Sequence, residues 1–64
     1  MNSQLMAAFK ALRVSERSCV LQDLNYNMTP AIHETGYEFA TRVLRQVSSD
    51  GLIRELENAM RRFQ

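Results

Sequence analysis

The sequence predicts an all-α fold of three or four short helices, the last two paired as an antiparallel hairpin. Three observations predict it. Apolar residues recur at helical spacing over 3–13, 30–47 and 52–63. Residues that start or stop helices punctuate those stretches: Ser3, Thr29-Pro30 and Ser49-Asp50-Gly51. Two glycines and one proline in 64 residues leave little room for the turns of a β architecture.

The first helix, over 3–13, gathers Leu5, Met6, Phe9 and Leu12 on one face, with Gln4, Lys10 and Arg13 elsewhere. Ala7, Ala8 and Ala11 are strong helix formers, and Ser3 suits the N-cap. A stripe this narrow does not hold an isolated helix of about three turns, so the helix must dock. The next stretch, Val14 to Met28, admits two readings. Ser15 can cap a helix from Glu16 to about Leu24, with Cys19, Val20, Leu21 and Leu24 on its apolar side. A strand would align Val20, Leu24, Tyr26 and Met28, but Gln22 interrupts the alternation. We favour the helix. Asn25-Tyr26-Asn27 is a turn either way, because Asn tolerates left-handed backbone.

Met28-Thr29-Pro30 is a strong boundary. A residue before proline avoids the α region, Thr caps the first turn, and Pro at the first helical position loses no hydrogen bond. A helix from Pro30 carries Ile32, Gly36, Phe39, Ala40, Val43, Leu44 and Val47 on one side. A competing start lies inside it: Thr35-Gly36-Tyr37-Glu38 has the capping-box form T-x-x-E. An interior glycine, which costs ~1 kcal/mol against alanine, favours a break there. Against the break, Gly36 sits on the stripe four residues before Ala40, where two small residues admit a close helix. We expect the continuous helix.

After the turn at Ser48–Gly51, capped by Ser49 or Asp50, a last helix carries Leu52, Ile53, Leu56, Ala59, Met60 and Phe63 on its apolar side. Arg54, Glu55, Glu57, Asn58, Arg61 and Arg62 form its wet face. Glu38–Arg42, Asp50–Arg54 and Glu57–Arg61 are spaced i, i+4 in the favourable order. A connection this short predicts an antiparallel helical hairpin over 29–64, with 1–28 as an N-terminal helical segment of one small domain.

Composition bounds function. At 45% hydrophobic and 23% charged, the chain is ordinary for a folded domain. A chain this short buries only ~60% of the surface its unfolded form exposes, so a staple is expected. Cys19 is the only cysteine and His33 the only histidine, which argues against a disulfide within the chain or a structural metal. By elimination we expect a homodimer. Ile32, Gly36, Phe39, Ala40, Val43, Leu44, Leu52, Leu56, Met60 and Phe63 would then supply core and subunit interface.

Charges interrupt every apolar run short of ~18 residues, so no membrane span is expected. Lys10 lies inside the N-terminal apolar stretch, unlike a secretory signal, and a lone thiol suits a reducing compartment, so a cytoplasmic protein is expected. His33-Glu34 is not an acid–base pair, because helical neighbours point apart. Cys19, between apolar neighbours, reads as a small buried hydrophobe. No cofactor, metal or small-molecule substrate is expected.

The outward candidates are Tyr37, Arg42, Arg45, Arg54, Arg61 and Arg62. Tyr37 lies beside the main stripe and suits a partly exposed anchor. The arginines either meet an acidic partner or phosphates, or form a solvated face neutralised by Glu38, Glu55 and Glu57. The net charge of +1 gives no strong lead toward nucleic acid.

Phe39-Ala40-Thr41-Arg42-Val43-Leu44-Arg45-Gln46-Val47, followed by Ser48-Ser49-Asp50-Gly51-Leu52-Ile53, resembles the recognition helix and following turn of winged helix-turn-helix regulators. The resemblance implies that Thr41, Arg42 and Arg45 face DNA. Two features depart from it. Too little chain precedes the helix for a full helix and turn after Thr29, and the pattern after Ile53 stays helical where a wing needs a β-hairpin. A ribbon-helix-helix arrangement fits loosely, but residues 18–26 contain Asp23 and no Lys or Arg. The expected function is therefore a small non-enzymatic regulator that binds and modulates a partner protein as a homodimer. The alternatives are a DNA-binding transcriptional regulator and a self-assembling structural subunit.

Overall fold

The structure is a computed structural model that describes residues 3–63. It is all-helical, as predicted: α1 (Ser3–Ala11), α2 (Val14–Asp23), α3 (Gly36–Ser49), α4 (Ile53–Met60) and a closing 3₁₀ turn, Arg61–Phe63. Among the described residues there is no strand. Helix α3 is central: α1 and α4 pack on it, and α2 packs on α4.

The core takes Leu5, Phe9 and Leu12 from the first segment and Val20 and Leu21 from α2. Phe39, Ala40, Val43, Leu44 and Val47 come from α3, and Leu56 and Met60 from α4. Phe9 meets Phe39 in a tilted pair, ring centroids 6.5 Å apart. The radius of gyration, 10.5 Å, matches the ~11 Å of a compact chain of this length. Most of the stripe predicted to serve core and dimer interface is thus covered within one chain. Leu52 and Phe63 pack partly buried at the edge of this core.

Two residues of that set do not join it. Ile32 is 92% exposed and Gly36 is exposed, because α3 begins at Gly36 rather than Pro30. The capping box wins: the Glu38 amide donates to Thr35 Oγ1 at 3.1 Å, and the Thr35 amide donates to Glu38 Oε1 at 2.9 Å. Gly36 therefore occupies the first helical position, where the penalty of an interior glycine does not arise, and Ile32 is left in the preceding connection.

Helix α2 also starts earlier than predicted. Arg13, not Ser15, is the N-cap residue, and its amide donates to Glu16 Oε1 at 2.8 Å. An arginine side chain has no acceptor, so only this half of a capping box forms. Val20 and Leu21 point inward, and Cys19, on the far side of the helix from them, is exposed where burial was predicted.

Both well-defined helix ends close in the same way. After α2, Asn25 takes φ 62°, the Tyr26 amide donates to the Leu21 carbonyl at 2.8 Å, and the Asn25 amide donates to Gln22 at 2.9 Å. After α3, Gly51 takes φ 72°, the Leu52 amide donates to Val47 at 2.9 Å, and the Gly51 amide donates to Ser48 at 3.1 Å. Each is a Schellman closure, which satisfies carbonyls that the helix leaves over. The N-cap of α4 is Leu52, without a side-chain cap, so neither Ser49 nor Asp50 takes the predicted capping role.

Candidate functional site

The predicted outward residues are dispersed rather than gathered. Tyr37 and Arg42, five positions apart on α3, diverge by about 140° around the helix axis. Arg54 lies on α4 and Arg61 and Arg62 in the closing turn, all exposed.

Arg42 is exposed but turns back onto its own chain. Its Nε donates to Glu34 Oε2 at 2.9 Å, and its Nη2 donates to Glu34 Oε1 at 2.9 Å and to the Thr29 carbonyl at 2.7 Å. The Ala31 amide donates to Glu34 Oε1 at 3.0 Å, and the Glu34 amide donates to the Ala31 carbonyl at 3.0 Å. The guanidinium thus staples both ends of the loop 29–34, and Ile32 projects from its tip. The bidentate arginine and the Ala31 amide hold the Glu34 carboxyl down to about 2. Glu34 in turn raises the Arg42 pKa. The expected Glu38–Arg42 pair does not form, because Glu38 is taken by the helix cap.

The same face of α3 carries Gln46 and Asp50, at i+4 and i+8 from Arg42. Gln46 Nε2 donates to Asp50 at 3.2 Å, and the Tyr26 hydroxyl donates to Asp50 Oδ2. Partial burial and then the Asp50 carboxylate push the Tyr26 phenol up to about 12. The hydrogen bond from Tyr26 and then that from Gln46 lower the Asp50 pKa. Arg42, Gln46 and Asp50 form a polar row onto which the α2–α3 connection is laced.

Arg62 reaches Asp23 at the end of α2, with Nη1 2.5 Å from Oδ2. Arg45, Arg54 and Arg61 have no ion-pair partner among the described residues, so the expected Asp50–Arg54 and Glu57–Arg61 pairs do not form.

Tyr37 stands apart from this row. It is 57% exposed on the side of α3 that faces α1. Lys10 Nζ sits 5.8 Å from its ring centroid, and one turn further Thr41 Oγ1 meets Met6 Sδ at 3.8 Å. These contacts show α1 running antiparallel to α3. Between the two helices lies an open cleft of about 460 Å³, lined by Ser3, Met6, Ala7, Lys10 and Tyr37. Its Met6 and Ala7 floor and its Lys10 rim were not singled out from sequence, because nothing local to residues 3–11 says which helix they adjoin. A smaller hollow of about 70 Å³ lies beyond, between Val14, Arg17 and Ser18 of α2 and Phe39 of α3.

Among the described residues no group of three or more His, Cys, Asp or Glu side chains is placed to hold a metal ion. None of the helices among them is long and apolar enough to cross a membrane. No protein-family model, curated protein or solved structure matches this chain.

Proposed function

We propose that the chain is a small non-enzymatic interaction protein that binds a partner protein and alters what that partner does. One observation carries the proposal. The apolar stripes of the helices are covered by one another, yet the α1–α3 cleft stays open, with an apolar floor and a half-exposed tyrosine at its side. Concave apolar surfaces with a few convergent polar groups are where recognition concentrates, and tyrosine is a frequent anchor there. The partner sits at this cleft. Most of the stripe that would close a dimer is covered within one chain, Ile32 and Gly36 excepted, so the reading is argued on the single chain. The arginine pair that would read DNA is weakened as a candidate, since Arg42 is held by Glu34 and Thr29.

The test is affinity capture from native lysate with the tagged chain and a Tyr37→Ala variant. Tyr37 is too exposed for its truncation to unfold the domain, which circular dichroism checks. The proposal expects a defined partner retained by the parent chain and lost, roughly tenfold, by the variant. Capture that is indifferent to Tyr37, or no specific partner at all, refutes it.

A further inference from the structure

Apolar exposure is concentrated where α2 and α3 begin. Ile32 is 92% exposed and Val14 71%. Val14 lines the hollow of about 70 Å³, together with Leu21, Met28, Pro30 and Phe39, and Arg17 stands at its polar edge. The stretch 30–36 borders this recess twice. Pro30 lines it, and a Cβ placed on Gly36 would stand 3.9 Å from Arg17 Nη1. Ile32, between the two, does not turn in. Arg42 holds Thr29 and Glu34 together, which fixes the loop and leaves Ile32 standing at its tip. The chain thus carries a fixed apolar projection beside an apolar recess that it does not itself fill. The recess has the volume of roughly two waters, enough to seat the branched end of an aliphatic side chain.

The charges around this face are of both signs. Arg13, Arg17 and Arg42 stand against Glu16, Glu34 and Glu38, all on the two helix starts, the loop and the arginine that staples it. A face balanced in this way calls for no strongly acidic or basic partner and does not repel its own copy. A projection and a recess on one face also meet the condition of a twofold contact, in which the same patch serves both partners.

We propose that this face pairs with a second copy of the chain about a twofold axis, Ile32 of each copy entering the recess of the other. Of the residues expected to serve a dimer, Ile32 and Gly36 are the two left exposed, and both lie here. Ile32 and Val14 alone bring about 300 Å² a copy to the contact. With Pro30 and the rim of the recess, the two copies together cover roughly 1,000 Å², the threshold of a specific association. The dimer is therefore a weak one, helped by a loop that is already ordered before it docks. Apolar centre and polar edge are arranged as in other protein contacts. The α1–α3 cleft lies outside it, since Tyr37 lines that cleft and not the recess.

Sedimentation velocity from about 10 µM to 1 mM tests this, with a rise from monomer to dimer and no further growth expected. Ile32→Asp removes the projection, and Ser18→Phe fills the recess from its exposed rim. Each should weaken the dimer by about tenfold or more, with circular dichroism unchanged. Mixed, the two variants should recover part of the association, because the first still offers a recess and the second still offers Ile32. Tyr37→Ala should leave the dimer in place, which separates this contact from the partner site at the cleft. In a sample that mixes labelled and unlabelled chain, the Ile32 methyls should show NMR contacts across copies to Val14 and Phe39. A monomer at 1 mM, a dimer indifferent to Ile32→Asp, growth beyond the dimer, or a different protein held through Ile32 while the chain stays monomeric overturns the proposal.

Discussion

The two connections that enter and leave α3 are built on different physics. The exit, at Asp50-Gly51-Leu52, is closed by backbone: two amides return to Val47 and Ser48, and Leu52 drops onto the core edge. The entry, residues 24–35, begins with the same kind of closure at Asn25 but then runs back along α3 through side chains. Tyr26 ties it to Asp50, and Arg42 ties it at Thr29 and Glu34. The exit holds by geometry and burial, which pH and salt leave alone. The entry rests Leu24, Tyr26 and Met28 partly buried on the core and adds exposed polar ties, which are individually weak and respond to both.

The largest break in this contrast comes from the apolar side. Leu56 is fully buried and fixes α4 after the exit turn. Leu56→Ala removes that contact and leaves a cavity, at about 2–5 kcal/mol. A domain of this size holds about 3–10 kcal/mol in all. Urea denaturation should show the variant at the edge of unfolding, with entry and exit lost together. A shift under 1 kcal/mol would show that α4 is dispensable to the fold.

A finer comparison sets the two left-handed residues against each other. At Gly51 an added Cβ meets nothing within 4 Å, so Gly51→Ala reports the left-handed backbone alone, about 1 kcal/mol. Asn25 already carries a Cβ at φ 62°, so Asn25→Ala forfeits only asparagine's local tolerance of that region, roughly half as much. Thermal or urea midpoints of the two variants should rank in that order. The reverse order would mean that Asn25 holds the entry through contacts rather than conformation.

This contrast also marks what the sequence makes legible. The all-α class, the turn at Asn25, the last helix and the hairpin followed from local signals: apolar period, a glycine at a helix end, asparagine in a turn. The choice between Pro30 and Gly36 as the start of α3 did not. Both starts carry sound local signals, and the capping box prevails in a fold where Glu34 and Thr29 are engaged by Arg42, thirteen residues beyond Thr29. Arg42 looked like an outward residue for the same reason, since its partners lie in a segment that local rules make helical. Cys19 came out exposed because it lies about 150° around the helix from the middle of the Val20–Leu21 face, an angle its apolar sequence neighbours do not reveal. Of the cleft, Tyr37 was legible as an amphipathic residue at a stripe's edge. Met6, Ala7 and Lys10 were not, because their role comes from which helices adjoin.

Acid separates the two connections with the smallest perturbation. Glu34 titrates at about 2 in the folded chain, below its ordinary value of 4.5. A carboxyl whose pKa is lowered by folding stabilises the fold above its unfolded value, and that contribution is lost as pH falls toward the folded one. The staple should therefore hold at neutral pH and weaken from about pH 4.5 down to about 2. In that window the Ala31 amide, which Glu34 accepts, should lose protection from hydrogen exchange, while the Leu52 amide, which returns to a backbone carbonyl, should keep it. Glu34→Gln should weaken Ala31 protection at neutral pH and erase the acid dependence, because its carbonyl still accepts from Ala31 but a neutral amide neither titrates in that range nor pairs with the guanidinium as an ion. Loss of protection at Ala31 and Leu52 together on acidification would mean that the entry is not a separately titrating element, and that Arg42 braces the whole of α3 rather than the loop in front of it.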